Sequence, residues 1–172
     1  MRQQETPAIL SKLDVWFEEA NASFSPEMQK VRKAALNRFK EIGFPHTKME
    51  KWRNTNLEKA LKFDYSLWTK EFNTNISEDD LFKCDVHELD AFTVNLYRGR
   101  LVYSDHPIFK MGNGAIVGSL AAAFEKYPEL VQKHFGKYHK EGEEKAFDML
   151  NTALFLDGLF IYVPKNVNIE KP

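Results

Sequence analysis

The sequence predicts an α+β protein that is mainly helical in its first part and has short β-hairpins further on. Apolar residues recur every three or four positions up to about residue 62, as in amphipathic helices. From residue 92 the pattern changes to alternation, and residues 159–163 form an apolar run of strand length. We therefore expect a helical region (residues 1–83), a small mixed α/β region (residues 84–158) and a short region of strands (residues 159–172).

Two amphipathic helices are predicted first. Thr6 and Pro7 can begin one helix, and its apolar positions are Ile9, Leu13, Trp16, Phe17 and Ala20. Ser25 and Pro26 can begin the second helix, and Gly43 is expected to end it. Its inward positions are Met28, Val31, Ala35, Phe39 and Ile42, with Arg32 on another face. The short loop between the helices favours an antiparallel pair. Residues 50–62 are expected to form a third helix, and residues 63–83 packed loops with a short helix near 77–81.

The β-signals begin at residue 92. Residues 92–97 and 100–103 flank Arg98-Gly99, which predicts a hairpin. A turn at residues 112–114 leads to a short strand at 115–117. Helices follow at 120–127, capped by Ser119, at 128–135 and at about 143–156. The residues of the last helix expected to point inward are Ala146, Phe147, Leu150, Ala153 and Leu154. The last predicted strands are residues 159–163 and 167–169.

The final strand pair has an unusual setting. A five-residue apolar strand followed by a tight turn should pair with more sheet than the sequence supplies. We expect the chain to be the front piece of a longer protein. We also predict that the chain self-associates through the edge at residues 159–163.

Composition excludes several classes of protein. The chain has 172 residues, of which 43% are hydrophobic and 13% aromatic, as in a globular protein. Its 24 basic and 25 acidic side chains give no electrostatic reason to expect nucleic acid or an anionic membrane as partner. The single Cys84 suits a reducing compartment, and no secretory signal or bilayer-length apolar run is visible. We expect a cytoplasmic protein.

No motif assigns catalytic, cofactor-binding or metal-binding residues. Cys84 and His87 have a Cys-x-x-His spacing, but a structural metal site needs about four ligands and no second Cys exists. A second acidic and histidine-containing group is read as a solvated loop; it comprises His134, His139, Glu141 and Glu143. No nucleophile elbow or phosphate loop occurs. A small metal-binding or enzymatic domain using Cys84 and His87 stays open as the alternative function.

The cluster Glu50, Trp52 and Arg53 is the candidate partner-binding site. Trp and Arg are enriched at binding hot spots, which favours a surface that recognises another protein. The structural interpretation is that Trp52 packs on Phe39 and Phe44 while Arg53 pairs with Glu50. Both interpretations stay open on residue chemistry.

Several segments, taken in order, carry a family resemblance over residues 28–172. They are Gly43-Phe44-Pro45 with Glu50, Trp52, Arg53, Thr55 and Leu57; Gly99-Arg100-Leu101-Val102; Ser119-Leu120-Ala121-Ala122-Ala123; Phe147 with Leu150-Asn151-Thr152-Ala153; Asp157-Gly158; Tyr162-Val163-Pro164-Lys165; and Glu170-Lys171-Pro172. Together they resemble the SufB/SufD family, in particular its SufD type. These proteins are scaffold subunits of the SUF iron–sulfur cluster assembly complex.

The resemblance implies a non-enzymatic scaffold whose helical N-terminal region precedes a long β-helix. The chain would stop where the β-helix begins, with residues 159–172 as its first strands. The implied partners are a SufB-like sister scaffold, a SufC-like ABC ATPase and a cysteine desulfurase system. Candidate cluster ligands would lie in later parts of the family's proteins. No cofactor is therefore expected in this chain, although the assembled complex handles an iron–sulfur cluster.

Overall fold

The structure is a computed structural model and describes residues 8–63, 65, 90–102, 106–137 and 145–172. It combines helices with small antiparallel sheets, which confirms the predicted α+β class. The chain divides into two compact units. The first contains Met1–Lys70 and Glu129–Phe155, and the second contains Glu71–Pro128 and Leu156–Pro172. The boundaries predicted after residues 83 and 158 stay predictions.

The helices and strands are numbered along the chain. The helices are α1 (Ala8–Asn21), α2 (Pro26–Ile42), α3 (Glu58–Leu61), α4 (Leu120–Lys126), α5 (Pro128–Gln132) and α6 (Ala146–Leu154), with a 3₁₀ turn at Glu50–Trp52. The strands are β1 (Leu96–Tyr97), β2 (Arg100–Leu101), β3 (Ile108–Lys110), β4 (Ile116–Ser119) and β5 (Leu159–Tyr162).

Helix α2 begins and ends as its sequence predicts, whereas Thr6 and Pro7, predicted to begin α1, lie outside the described residues. The Ser25 hydroxyl accepts a hydrogen bond from the Met28 N–H at the start of α2. At its end Gly43 has φ of 73° and donates its N–H to Phe39 O over 2.7 Å. An ion pair joins Lys40, late in α2, to Asp14 in the middle of α1, and Arg32, earlier in α2, donates to Asn21 at the end of α1. The two helices are therefore antiparallel.

The core of the first unit is built by the neighbouring helices α1 and α2 together with α6, which comes much later in the sequence. Helix α6 packs along α2 and also contacts α1. The buried core residues come from all three: Leu13, Phe17, Ala35, Leu36, Phe39, Ala146 and Ala153. Fully burying one large apolar side chain contributes about 1.5–3 kcal/mol, so this cluster is the main source of stability in the unit.

The inward face predicted for α2 needs one correction. Val31, expected inside, is 43% exposed, whereas Arg32, expected on another face, is fully buried. Leu36, which follows Arg32 by one helical turn, is 3% exposed. The buried face is therefore rotated by one residue towards Arg32, because aromatic rings and hydrogen-bond acceptors receive its side chain.

The single helix predicted over residues 50–62 is wrong. The chain forms the 3₁₀ turn Glu50–Trp52 and, after a break, the single turn α3. In the break the Asn56 side-chain oxygen accepts the Glu58 N–H over 2.8 Å. Asn and Thr side chains compete for backbone groups in this way, which favours turns and helix starts over helix interiors.

In the second unit the predicted hairpin is confirmed but short. Leu96 pairs with Leu101 and Tyr97 with Arg100. Arg98 and Gly99 have φ of 51° and 76°, as a type I′ turn requires. Residues 103–105 lie outside the described residues.

The larger sheet has the order β3-β4-β5, and both pairings are antiparallel. Strand β3 was not predicted, and residues 167–169, predicted as a strand, are not one. Helix α4 packs against β4 and β5. Its N-cap is Ser119, as predicted, whose hydroxyl accepts the Ala122 N–H over 3.0 Å.

Asp157 connects the elements of the second unit. Its Oδ1 accepts hydrogen bonds from the Ser119 hydroxyl over 2.8 Å and from the Ala121 N–H over 3.0 Å. Its Oδ2 accepts the Leu101 N–H over 3.3 Å. One carboxylate therefore fixes β2, the start of α4 and the approach to β5 relative to each other.

Candidate functional site

The candidate partner-binding residues lie together on one short turn. The Trp52 N–H donates to Met49 O over 2.9 Å, and the Thr55 N–H donates to Trp52 O over the same distance. The Arg53 guanidinium lies 2.9 Å from a carboxylate oxygen of Glu50. These side chains are 64% and 83% exposed, so water screens the ion pair and its contribution to stability is small.

Trp52 belongs to a row of aromatic rings in the first unit. Its ring centroid lies 5.7 Å from that of Phe147 on α6, and Phe147 lies 6.0 Å from Phe44. Phe44 makes an edge contact of 4.9 Å with Phe39 in the core. The ring partner of Trp52 is therefore Phe147, and Phe44 and Phe39 follow as the next members of the row.

The row changes from core to surface along its length. Phe39 is fully buried, Trp52 is half-buried and Phe147 is 38% exposed. Phe147 was predicted to point inward, so its contribution to this surface was missed in the sequence. The one sequence signal for its exposure was its position directly after Ala146, because adjacent residues on a helix point in different directions. The result is an exposed aromatic edge beside the ion-paired Arg53, held by rings that reach the core.

A second polar centre, which the sequence did not indicate, is the buried Arg32. Its Nε donates to Asn21 Oδ1 over 3.1 Å, and its Nη1 donates to Phe155 O at the end of α6. Its guanidinium carbon lies 4.2 Å from the ring centroid of Phe24 and 5.0 Å from that of Phe155. Arg32 therefore links the ends of α1 and α6 to the middle of α2.

The environment of Arg32 is costly for a cation. Burial lowers the pKa of Arg32 to about 10, because desolvation disfavours the charged guanidinium. Its Nη2 is buried and has no hydrogen-bond partner within the described residues. Cation–π contacts and the negative end of the α6 dipole offset part of this cost. At neutral pH Arg32 stays charged and acts as a structural link.

The possible metal ligands fall mostly outside the described residues. Those outside are Cys84, His87, His139, Glu141 and Glu143. Within residues 8–63, 65, 90–102, 106–137 and 145–172, no group of three His, Cys, Asp or Glu side chains could hold a metal ion. In the same part of the chain, no helix is both long and apolar enough to cross a membrane.

Comparison with protein families decides the relationship. Residues 16–172 match the family model described as the SufBD protein N-terminal region. The chain belongs to the SufBD family.

Similar proteins within the SufBD family come from bacteria and from photosynthetic eukaryotes. The iron–sulfur cluster assembly protein SufD of Bacillus subtilis is 26% identical over 151 residues, which is 84% of this chain and 33% of that protein. The SufBD family protein ABCI9 of Arabidopsis thaliana is 38% identical over 60 residues, 35% of this chain and 13% of that protein. The SufBD family protein ycf24 of Trieres chinensis is 42% identical over 53 residues, 31% of this chain and 11% of that protein.

The chain thus spans a third or less of the length of each of these relatives. No solved structure matches it.

Proposed function

We propose that this chain works as the N-terminal region of a SufD-like scaffold subunit in iron–sulfur cluster assembly, acting through protein contacts. The observation that carries the proposal is the match of residues 16–172 to the SufBD N-terminal region. The Bacillus subtilis relative, aligned over 84% of the chain, is named an iron–sulfur cluster assembly protein. The proposed setting is cytoplasmic.

In the proposed function this chain is a scaffold and catalyses no reaction itself. A SufC-like ABC ATPase would hydrolyse ATP, a SufB-like sister scaffold would pair with later parts of a longer protein, and a cysteine desulfurase would supply sulfur. The iron–sulfur cluster is the cargo of such a complex. The proposal includes a β-helix after residue 158, in which the apolar strand β5 is the first strand.

The contact surface that we propose is formed by Trp52, Phe147 and Arg53. Trp52 and Phe147 present aromatic area that is already positioned by the ring row, so binding orders few side chains. Arg53 follows Trp52 and is exposed, and its ion pair with Glu50 is screened by water, so it can be exchanged for a new acceptor at low cost. Aromatic anchors beside an Arg are the usual composition of binding hot spots.

A pull-down tests this function. The 172-residue chain is presented to the SufB-like scaffold, the ABC ATPase and the desulfurase, and the double variant Trp52→Ala/Arg53→Ala is compared with wild type. We expect at least one partner to be retained by wild type and released by the double variant.

Matched controls exist in the same unit. Arg38 and Glu41 on α2 form an exposed i,i+3 ion pair of 2.8 Å, equivalent to that of Arg53 and Glu50. Phe63 is an aromatic side chain that is 61% exposed. The double variant Phe63→Ala/Arg38→Ala should bind like wild type. Equal loss in both double variants, or retention of none of the three partners by wild type, would contradict the proposed surface.

A further inference from the structure

Residues 46–55 form a series of successive tight turns around Trp52. The Met49 N–H donates to His46 O, and the Trp52 N–H donates to Met49 O, both over 2.9 Å. The Thr55 N–H donates to Trp52 O over the same distance. Hydrogen bonds to the third residue back give about three residues per turn, so side chains three positions apart lie above one another. The segment therefore presents three rows of side chains.

The row that contains Trp52 faces the first unit, and the neighbouring rows are exposed. Met49 and Trp52 are half-buried, whereas Lys48 and Lys51, which form the next row, are exposed. Lys51 directly precedes Trp52, and the exposed Arg53 of the third row directly follows it. Cationic side chains therefore flank the aromatic edge on both sides, and a partner that reaches the rings approaches between positive charges.

Charge sets this segment apart from the chain as a whole. Residues 46–56 contain three basic side chains against the one carboxylate of Glu50, a formal charge of +2 with His neutral. The whole chain has a formal charge of −1. On α6, the charged residues nearest to Phe147 in the described sequence are Lys145 and Asp148, which pair over 3.2 Å and cancel each other. The segment beside the rings is therefore positive in a chain that is not.

We propose that the surface of Trp52, Phe147 and Arg53 binds an acidic segment of a partner protein that carries an aromatic or aliphatic anchor residue. This inference rests on the proposed function, because it takes the surface as a site of protein contact and adds the chemistry of the partner. The anchor packs on the two rings. Carboxylates on either side of the anchor meet Lys48 and Lys51 in one direction and Arg53 in the other. Opposite charges speed the encounter and select against basic partners.

A nucleic acid matches the same surface less well. Glu50 lies 2.9 Å from the Arg53 guanidinium, so a carboxylate stands inside the positive segment. A nucleic acid strand carries a phosphate at every nucleotide, whereas a peptide can carry its carboxylates only where cations receive them. Domains that bind nucleic acid usually have a strong excess of basic side chains, and this chain has 24 basic against 25 acidic ones. The charges therefore favour an acidic protein segment.

Selection from a random peptide library tests the chemistry without assuming a partner. Short random peptides displayed on phage are selected on the immobilised chain, and those that also bind Trp52→Ala/Arg53→Ala are removed. We expect the enriched peptides to carry at least about two carboxylates around an aromatic or aliphatic residue. Their binding should weaken at least about tenfold between about 0.05 and 0.5 M salt, because salt screens the attraction. Enrichment of neutral or basic peptides, or of none, would overturn the proposal.

A charge-reversal variant, Lys48→Glu/Lys51→Glu, tests where the acidic segment binds. We expect it to bind the enriched peptides at least about tenfold more weakly than wild type, measured by fluorescence anisotropy. The matched control is Lys30→Glu/Lys33→Glu on α2, which reverses two exposed lysines of the same spacing in the same unit. The control has the same net charge as the variant and should bind like wild type. Equal weakening in both would mean that only the overall charge attracts the peptides, and the proposal would be wrong.

The pull-down separates this inference from the proposed function. The charge-reversal variant is added to the comparison of wild type with Trp52→Ala/Arg53→Ala. We expect it to release the partner that wild type retains. If it keeps a partner that Trp52→Ala/Arg53→Ala releases, the proposed function stands and the acidic segment is wrong. Retention of none of the three partners by wild type is the separate outcome that contradicts the proposed function.

The nucleic-acid alternative has its own measurement. Labelled oligouridine is titrated with wild type, with the charge-reversal variant and with Lys30→Glu/Lys33→Glu. We expect no binding to wild type at physiological salt. Binding that is lost in the charge-reversal variant and kept in the control would assign the surface to RNA and overturn the acidic segment.

Discussion

Arg32 shows how a single residue can decide the orientation of a helix. Its guanidinium is fully buried, and within the described residues it forms no ion pair. Two hydrogen bonds and two close aromatic faces replace the water that burial removes. A planar group with several fixed donors can satisfy two acceptors and stack between rings at the same time, which an ammonium group cannot do.

We predict that Arg32→Lys lowers the free energy of unfolding by about 2 kcal/mol. The lysine ammonium can keep one of the two hydrogen bonds but loses the second and the stacking on Phe24 and Phe155. Urea denaturation measures the change. Arg38→Lys on the exposed side of the same helix is the control and should change stability by less than about 0.5 kcal/mol. Equal changes in the two variants would mean that the buried guanidinium of Arg32 does not contribute to stability through its hydrogen bonds and ring contacts.

Gly118 is required for close approach between strands. A Cβ atom at this position would lie against Pro107 O and 2.5 Å from Ile108 Cα, closer than real Cβ atoms come. We predict that Gly118→Ala lowers the free energy of unfolding by about 3 kcal/mol, because β3 must move away from β4. Gly112→Ala is the control, since open space surrounds that position. Thermal unfolding followed by circular dichroism should separate the two variants by roughly 10 °C or more, and coincident curves would refute the prediction.

At the scale of elements, Asp157 connects a helix and a hairpin through three hydrogen bonds. It reinforces the cap of α4 and also holds the backbone of β2, which belongs to a different hairpin. A carboxylate near a helix N-terminus is favoured by the helix dipole as well as by its hydrogen bonds. Removal of the carboxylate should therefore loosen α4 and the β1–β2 hairpin together.

We predict that Asp157→Ala lowers the free energy of unfolding by about 2–4 kcal/mol, because three donors lose their shared acceptor. Hydrogen exchange should show faster exchange at Leu101 and Ala121 in the variant. Asp90→Ala is the control: it removes an exposed carboxylate of the same unit that pairs with Lys171 over 2.6 Å. If only Ala121 is affected, Asp157 is a helix cap and does not connect the elements.

The sequence predicts elements with strong local signals and misses those set by distant contacts. The cap at Ser25, the stop at Gly43 and the turn at Arg98-Gly99 are local, and the structure confirms each. Strand β3 exists because β4 lies beside it, and its own three residues have no pattern. The interruption at Asn56 was overlooked because the apolar residues around it keep helical spacing.

The candidate site was predictable only where its contacts are local in sequence. The pairing of Arg53 with Glu50 is an i,i+3 contact and follows from the sequence. Phe147, which completes the surface beside Trp52, comes from a helix almost a hundred residues later. No local pattern predicts that contact, and the burial of Arg32 against Phe155 is equally remote in sequence.

At the scale of the whole molecule, the proposed role as a scaffold predicts that the chain carries no metal of its own. Cysteine-rich structural zinc sites and iron–sulfur clusters take several thiolate ligands, and this chain has one Cys. We expect the purified chain to contain well under about 0.1 iron or zinc per molecule by plasma mass spectrometry. Stoichiometric metal that disappears in Cys84→Ala would instead support the alternative function that uses Cys84 and His87.

The way α6 completes the first unit has a consequence for biosynthesis. Helix α2 ends at residue 42, but α6, which covers it, begins at residue 146. At about 5–20 residues per second, a ribosome needs roughly 5–20 s to make the intervening chain. During that interval Leu36 and Phe39 lack their final neighbours. We therefore expect the apolar face of α2 to be accessible to chaperones until α6 has left the ribosomal exit tunnel.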